Sequence, residues 1–231
     1  MAVDSHVRYS ALKRLTPLIS NFKTSLTSAL NRSGFDDWHP KFDIRHLDRP
    51  RTRPKHLAGE GRIAAVMLLV FPDSRPDSMD PTEMRLILTR RRADLAAHPG
   101  QISLPGGRRE SGESLERTAR RETGEEIGVP PDSIDVLARL NQVYIPPSDF
   151  TVTPFVGWIG SRPRFIAEEA EVAEIIEVSL AELCDPAALQ WGDIEVDERN
   201  LHVPFYAIQG HQVWGATAIM LSEFIERLSD L

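Results

Sequence analysis

Residues Gly106 to Val129 read GGRRESGESLERTARRETGEEIGV, and the rest of the chain is best understood from this stretch outward. Gly128 is a natural residue to end a helix. A helix is therefore predicted from about Ser114 to Ile127. Leu115, Ala119, Thr123 and Ile127 recur every four residues and mark the face that packs inward. Taking Leu115 as origin at roughly 100° per residue, Glu126 falls near ~20° and Glu122 near ~−20°, on or beside that face. Arg117, Arg121 and Gly124 fall on the opposite side. Glu122, Glu125 and Glu126 together span roughly 100° of arc and can converge on one point.

A glutamate-rich helix with a wet face accounts for Glu-x-x-Glu-Glu taken by itself. These glutamates, however, sit at the edge of a buried face. Carboxylates crowded there repel one another and lose solvation. A divalent cation relieves both costs, and hard oxygen ligands suit Mg2+ or Mn2+.

The surrounding residues sharpen the reading. Gly107, Glu113, Arg121, Glu122, Glu125, Glu126, Gly128 and Val129 occur at the spacing of the Nudix box, which the segment resembles. Thr123 stands where that box has an apolar residue. The resemblance implies an α/β (α+β) fold, a Nudix-type α-β-α sandwich with a mixed sheet and a loop-helix-loop metal site. It implies that Glu122 and Glu126 are metal ligands and that Glu125 is a further ligand or a catalytic support. It also implies that Glu113 and Arg121 support them, Arg121 by orienting a glutamate, while Gly107 lets the backbone bend. Bound metal would neutralise diphosphate oxygens and activate a water for attack on phosphorus. A general base must take the proton of that water. The loop cluster Glu168, Glu169 and Glu171 is the candidate source, with Glu171 preferred; a solvated loop is the plain alternative.

Upstream, Leu86 to Gly107 looks like the extra signature of coenzyme A diphosphatases within that family. Leu88, Thr89, Arg91, Gly100, Pro105, Gly106 and Gly107 fit it. Arg92 replaces a small residue, Ala96 replaces a second arginine and Leu104 replaces phenylalanine. Arg90, Arg91 and Arg92 are the candidate phosphate contacts, although on a strand they cannot all face one way. The resemblance implies a substrate of coenzyme A or its thioesters. Another nucleoside diphosphate derivative such as ADP-ribose or NADH, or a nucleotide-binding module without activity, are the competing readings.

Composition frames these expectations. The chain has 231 residues, a formal net charge of −7 and 41% hydrophobic residues, as expected of a globular protein. The negative charge argues for a small nucleotide-derived substrate and against a long nucleic acid. Cys184 is the single cysteine, so no intrachain disulfide forms, and it reads as a small buried side chain. The apolar run Ile63 to Phe71 is too short for a membrane span. A cytoplasmic location is expected. Residues 5–35 lack acids and carry Arg8, Lys13, Arg14, Lys23 and Arg32, a pattern that overlaps with organellar transit peptides.

Those residues also place Leu12, Leu15, Ile19, Phe22 and Leu26 at helical spacing, with Thr16-Pro17 as a start. Residues 1–58 are accordingly expected to form a helical arm and extended connector, and 59–231 the catalytic domain. The arm has the chemistry either to cover the cleft or to pair two subunits as a homodimer. Strands are expected at Arg62 to Phe71 and Met84 to Arg91, joined as a hairpin across a polar loop from Pro72 to Thr82. Further strands are expected at Ile134 to Tyr144, Thr151 to Ile159, Val172 to Val178, Ile194 to Val196 and Leu201 to Ile208. Short and closing helices follow at Leu180 to Cys184 and Trp214 to Leu228, with Trp214 packing that last helix.

Overall fold

The computed structural model describes residues 22–35, 38, 40, 52–54, 61–73, 83–95, 98–196 and 199–229. The expected arm residues Leu12, Leu15, Ile19 and Thr16-Pro17, most of the connector, most of the loop after Pro72 and Ala96 lie outside them. In chain order the elements are α1 (Phe22–Leu30), β1 (Arg62–Pro72), β2 (Met84–Arg91), β3 (Ile102–Ser103), β4 (Gly106–Arg108) and α2 (Leu115–Ile127). They continue with β5 (Asp135–Arg139), β6 (Val143–Ile145), β7 (Phe150–Trp158), β8 (Val172–Ser179), α3 (Leu180–Leu183), β9 (Leu189–Val196), β10 (Arg199–Ile208), β11 (His211–Trp214) and α4 (Gly215–Ser229).

Among the described residues, eight strands form one sheet and β11-β10-β9 a second. The large sheet is mixed. β1 runs parallel to β7 from Arg62↔Phe150 to Val70↔Trp158. β1 and β2 are antiparallel but pair only from Val70↔Leu86 to Pro72↔Met84. Beyond that point they diverge, and residues 102–108 thread into the gap. β3 joins β2 at Thr89↔Ser103, and β4 joins β1 at Val66↔Gly106. Pro105 O accepts from Met67 N at 2.8 Å between the two short strands. This wedge sets Gly106 and Gly107 at the split in the sheet.

Strand alternation sorts the core into two layers. Ala65, Met67, Leu69, Phe71 and Ile87 face α2 and pack with Ala119, Ile127 and Phe155. Leu68, Val70, Leu86, Leu88 and Val156 face the other way, towards α4, where Leu221 and Phe224 are fully buried. Phe22, Leu26 and Leu30 of α1 belong to that second layer. The α1 end is tied down by Arg227 Nη1 donating to Leu30 O and by Arg32 Nη2 donating to Arg227 O at 2.9 Å. Arg227 itself is buried with Glu223, 2.7 Å away, and Phe35 lies under its guanidinium at 4.4 Å. Cys184 is buried, and burial pushes its thiol up to about 12.

Three expectations are corrected. The strand expected from Ile134 to Tyr144 is broken into β5 and β6, both paired with β7. Between them the Asn141 amide turns to the buried Glu223 carboxylate at 3.1 Å instead of continuing the ladder. The strands expected at Ile194 to Val196 and Leu201 to Ile208 are longer, Leu189–Val196 and Arg199–Ile208, and pair antiparallel. Trp214 ends β11 rather than opening the final helix, which begins at Gly215 with φ 65°. Trp214 packs against the small cluster of Ile194, Val203 and Phe205.

Candidate functional site

Helix α2 is built as its sequence demands. Ser114 Oγ accepts from Arg117 N at 3.2 Å, and Gly128 ends the helix with φ 74°. Ala119, Thr123 and Ile127 are fully buried. Thr123 fits an apolar position because its hydroxyl donates to Ala119 O at 2.7 Å, inside its own helix, leaving the methyl to pack.

Glu126 lies on the buried face. Its side chain is 6% exposed, its Oε2 accepts from Gly106 N at 3.2 Å, and Arg91 Nη1 stands 3.9 Å from Oε1. Burial pushes its carboxyl up to about 8, against the pull of Gly106 and Arg91; the charges of Glu171 and Glu122 push the same way. Glu122 is also raised, first by burial, and Glu125 and Glu171 add to it while Arg121 opposes. Glu122 lies against the chain at Gly107: a Cβ at that position would fall inside contact distance of the Glu122 carboxylate. Both ligand candidates thus turn to the Gly106–Gly107 bend. Glu171, though exposed, is near enough for its charge to act on both.

Arg121 departs from the wheel's simple geometry. Its Cα lies on the far side, but the long side chain folds back and is only 22% exposed. Nε and Nη2 donate to Glu113 at 3.0 and 3.1 Å, while Nη1 lies 2.8 Å from Glu125 and 2.9 Å from Glu122. Glu113 is fixed further by Thr118 Oγ1 at 2.9 Å, and the Arg121 hydrogen bonds pull its carboxyl down to about 2. Among the described residues no three acid, His or Cys side chains stand gathered as a ready metal cage; Arg121 holds Glu122 and Glu125 at the rim. The donor set nevertheless fits a hard cation. It offers desolvated, mutually repelling carboxylates beside a glycine bend that leaves no room for a side chain.

The three arginines part company. Arg91 shares the face of Ile87 and Thr89, which is the α2 face, and it reaches Glu126. Its Nε is buried and meets no acceptor among the described residues. Arg90, on the opposite face, pairs with Glu174 at 2.8 Å. Arg92 pairs with Asp94 at 2.7 Å and donates to Glu169 O at 2.8 Å. Glu168 lies in the same loop, its amide on Glu126 O at 2.9 Å. Sequence reasoning did not single out the Gly106 amide or Asp94. The clue to the first is a Gly-Gly pair directly ahead of the acidic helix; the second had none beyond its nearness to Arg92.

The NUDIX domain model matches residues 62–199 of the chain. The Nudix hydrolase NudL of Pectobacterium atrosepticum is 36% identical over 186 residues, which cover 78% of this chain and 88% of that protein. Nudix hydrolase 3 of Caenorhabditis elegans is 27% identical over 78% of this chain and 80% of its own. Among solved structures, a MutT protein from Methanosarcina mazei superposes with a TM-score of 0.45 at 20% identity, covering 72% of this chain and 91% of that one.

Proposed function

The chain belongs to the Nudix hydrolase family, and on that premise we propose that it cleaves the diphosphate of coenzyme A or an acyl-coenzyme A. The observation that carries this reading is Arg91. It is a signature arginine, its side chain 25% exposed, whose guanidinium stands 3.9 Å from the buried Glu126 and so sets a cation for a phosphate beside the glutamate pair.

In this reading Glu122 and Glu126 would hold Mg2+ or Mn2+, and Glu125, now paired with Arg121, would be a further ligand. The metal, when bound, supplies charge neutralisation and an acidified water. The chain's own residues do the rest. Arg91 binds and orients the diphosphate. Arg121, itself set by Glu113, aims Glu122 and Glu125. Glu171 accepts the proton as water attacks one phosphorus and the bridging oxygen leaves with the other phosphate. From coenzyme A the products are 4′-phosphopantetheine and adenosine 3′,5′-bisphosphate.

A second reading, ADP-ribose or NADH as substrate, is favoured by the departures from the coenzyme A signature at Arg92, Ala96 and Leu104. Arg92, where the signature has a small residue, is engaged with Asp94 and Glu169 O. Incubation with Mn2+ and coenzyme A, ADP-ribose or NADH, followed by product masses, separates the two. Adenosine 3′,5′-bisphosphate from coenzyme A at the highest rate is expected. Turnover of ADP-ribose with none of coenzyme A overturns the first reading.

A further inference from the structure

We propose that Arg92 is a positioning residue: through Asp94 and Glu169 it clamps the loop that presents Glu171. The proposal rests on the reading of Glu171 as proton acceptor. Glu171 has no regular element of its own to hold it. It sits in a turn where Glu171 N and Val172 N both donate to Glu168 O, at 3.0 and 2.8 Å. One side of that turn is stitched to α2, with Ile166 N on Ile127 O and Glu168 N on Glu126 O, each at 2.9 Å. Those bonds set the distance from the loop to the metal-binding helix. They leave the far side, at Glu169 to Glu171, to be held by something else.

Arg92 holds it. Its amide donates to Glu171 O at 3.0 Å and its Nη1 to Glu169 O at 2.8 Å. The guanidinium is in turn fixed by a two-pronged pairing with Asp94, Nε to Oδ1 at 2.8 Å and Nη2 to Oδ2 at 2.7 Å. All three of its nitrogens are thus engaged with the protein. The main-chain bond persists whatever side chain stands at 92; the clamp on Glu169 does not. The coenzyme A signature has a small residue at this position, so the clamp is a feature of this chain's own residues rather than of the signature. The pair is exposed, 42% for Arg92 and 65% for Asp94, so its effect lies in aim more than in stability. A base must stand within hydrogen-bond reach of its proton, and small misplacements cost rate.

The test compares Arg92→Ala, Arg92→Lys and Glu171→Gln, with Arg92→Ala also made in the Glu171→Gln background. Coenzyme A and ADP-ribose serve as substrates with Mn2+, and amide hydrogen exchange is followed across residues 166–172. Arg92→Ala is expected to lower kcat about fivefold with KM within about twofold, and to speed exchange in that segment. Arg92→Lys recovers part of the loss, and in the Glu171→Gln background the alanine change adds none. A rise in KM of about tenfold with kcat intact identifies Arg92 as a phosphate contact and overturns the proposal. Equal losses in both backgrounds, or unchanged exchange at 166–172, also overturn it. Full kcat in Glu171→Gln defeats the role of Glu171 as base, while the clamp is then judged by exchange alone.

Discussion

The amide of Gly106 donates to Oε2 of Glu126 across 3.2 Å, joining the split in the sheet to the buried face of the glutamate helix. The two glycines of this bend do different work. Gly106 has φ 151°, and a Cβ there would press on the backbone of Ala65 and Val66. Gly107 lies outside the left-handed region, and the atoms nearest to a Cβ there would be those of the flexible Glu122 carboxylate. Gly106→Ala is therefore expected to destabilise the protein by about 3 kcal/mol in urea denaturation. Gly107→Ala should cost under about 1 kcal/mol yet lower kcat by about 10- to 100-fold, because it displaces Glu122, the proposed metal ligand. Equal effects of both changes on stability would contradict this division.

Glu113 gives a pH signature. Its folded-state carboxyl, drawn down to about 2 by Arg121, lies below its ordinary value of 4.5. A depressed acid contributes stability that is present above the unfolded value and lost as pH falls through the folded one. Stability should therefore decline between about pH 4.5 and 2, by about 1–2 kcal/mol from this group after screening by water around Arg121. Glu113→Gln should flatten that part of the curve in denaturant titrations run pH by pH. An unchanged slope would show that the pair with Arg121 is not made.

The buried pair of Glu223 and Arg227 anchors α1 rather than the active site. Arg227→Met leaves Glu223 with an uncompensated charge and frees the Leu30 carbonyl. A loss of about 3–5 kcal/mol is expected, with faster amide exchange in α1 and unchanged KM of the folded fraction. Loss of substrate affinity at full stability would refute this assignment.

The acidic helix was legible because its information is local. A glycine stop and a four-residue apolar repeat fix which glutamates turn inward, and Gly128 and Glu126 follow that pattern. Strand alternation likewise marks Arg91 out from Arg90, since odd residues of β2 share the face of Ile87. Other features depend on partners distant in sequence. The break at Asn141 is drawn by Glu223, 82 residues away, and no periodicity records it. Two- and three-residue strands such as β3 and β4 are too short to carry a pattern and exist only because β1 and β2 diverge. The inward fold of Arg121 escaped the helical wheel because the wheel places Cα atoms, not the ends of long flexible side chains.

The central claim is that Glu122 and Glu126 share a divalent cation. The most direct test is titration with Mn2+, following the free-ion signal by electron paramagnetic resonance, for the wild type, Glu122→Gln, Glu126→Gln and the exposed control Glu116→Gln. Saturable binding is expected in the wild type and the control, with affinity about 10- to 100-fold weaker in each of the two inward variants. Equal Mn2+ affinity in all four proteins would contradict the account.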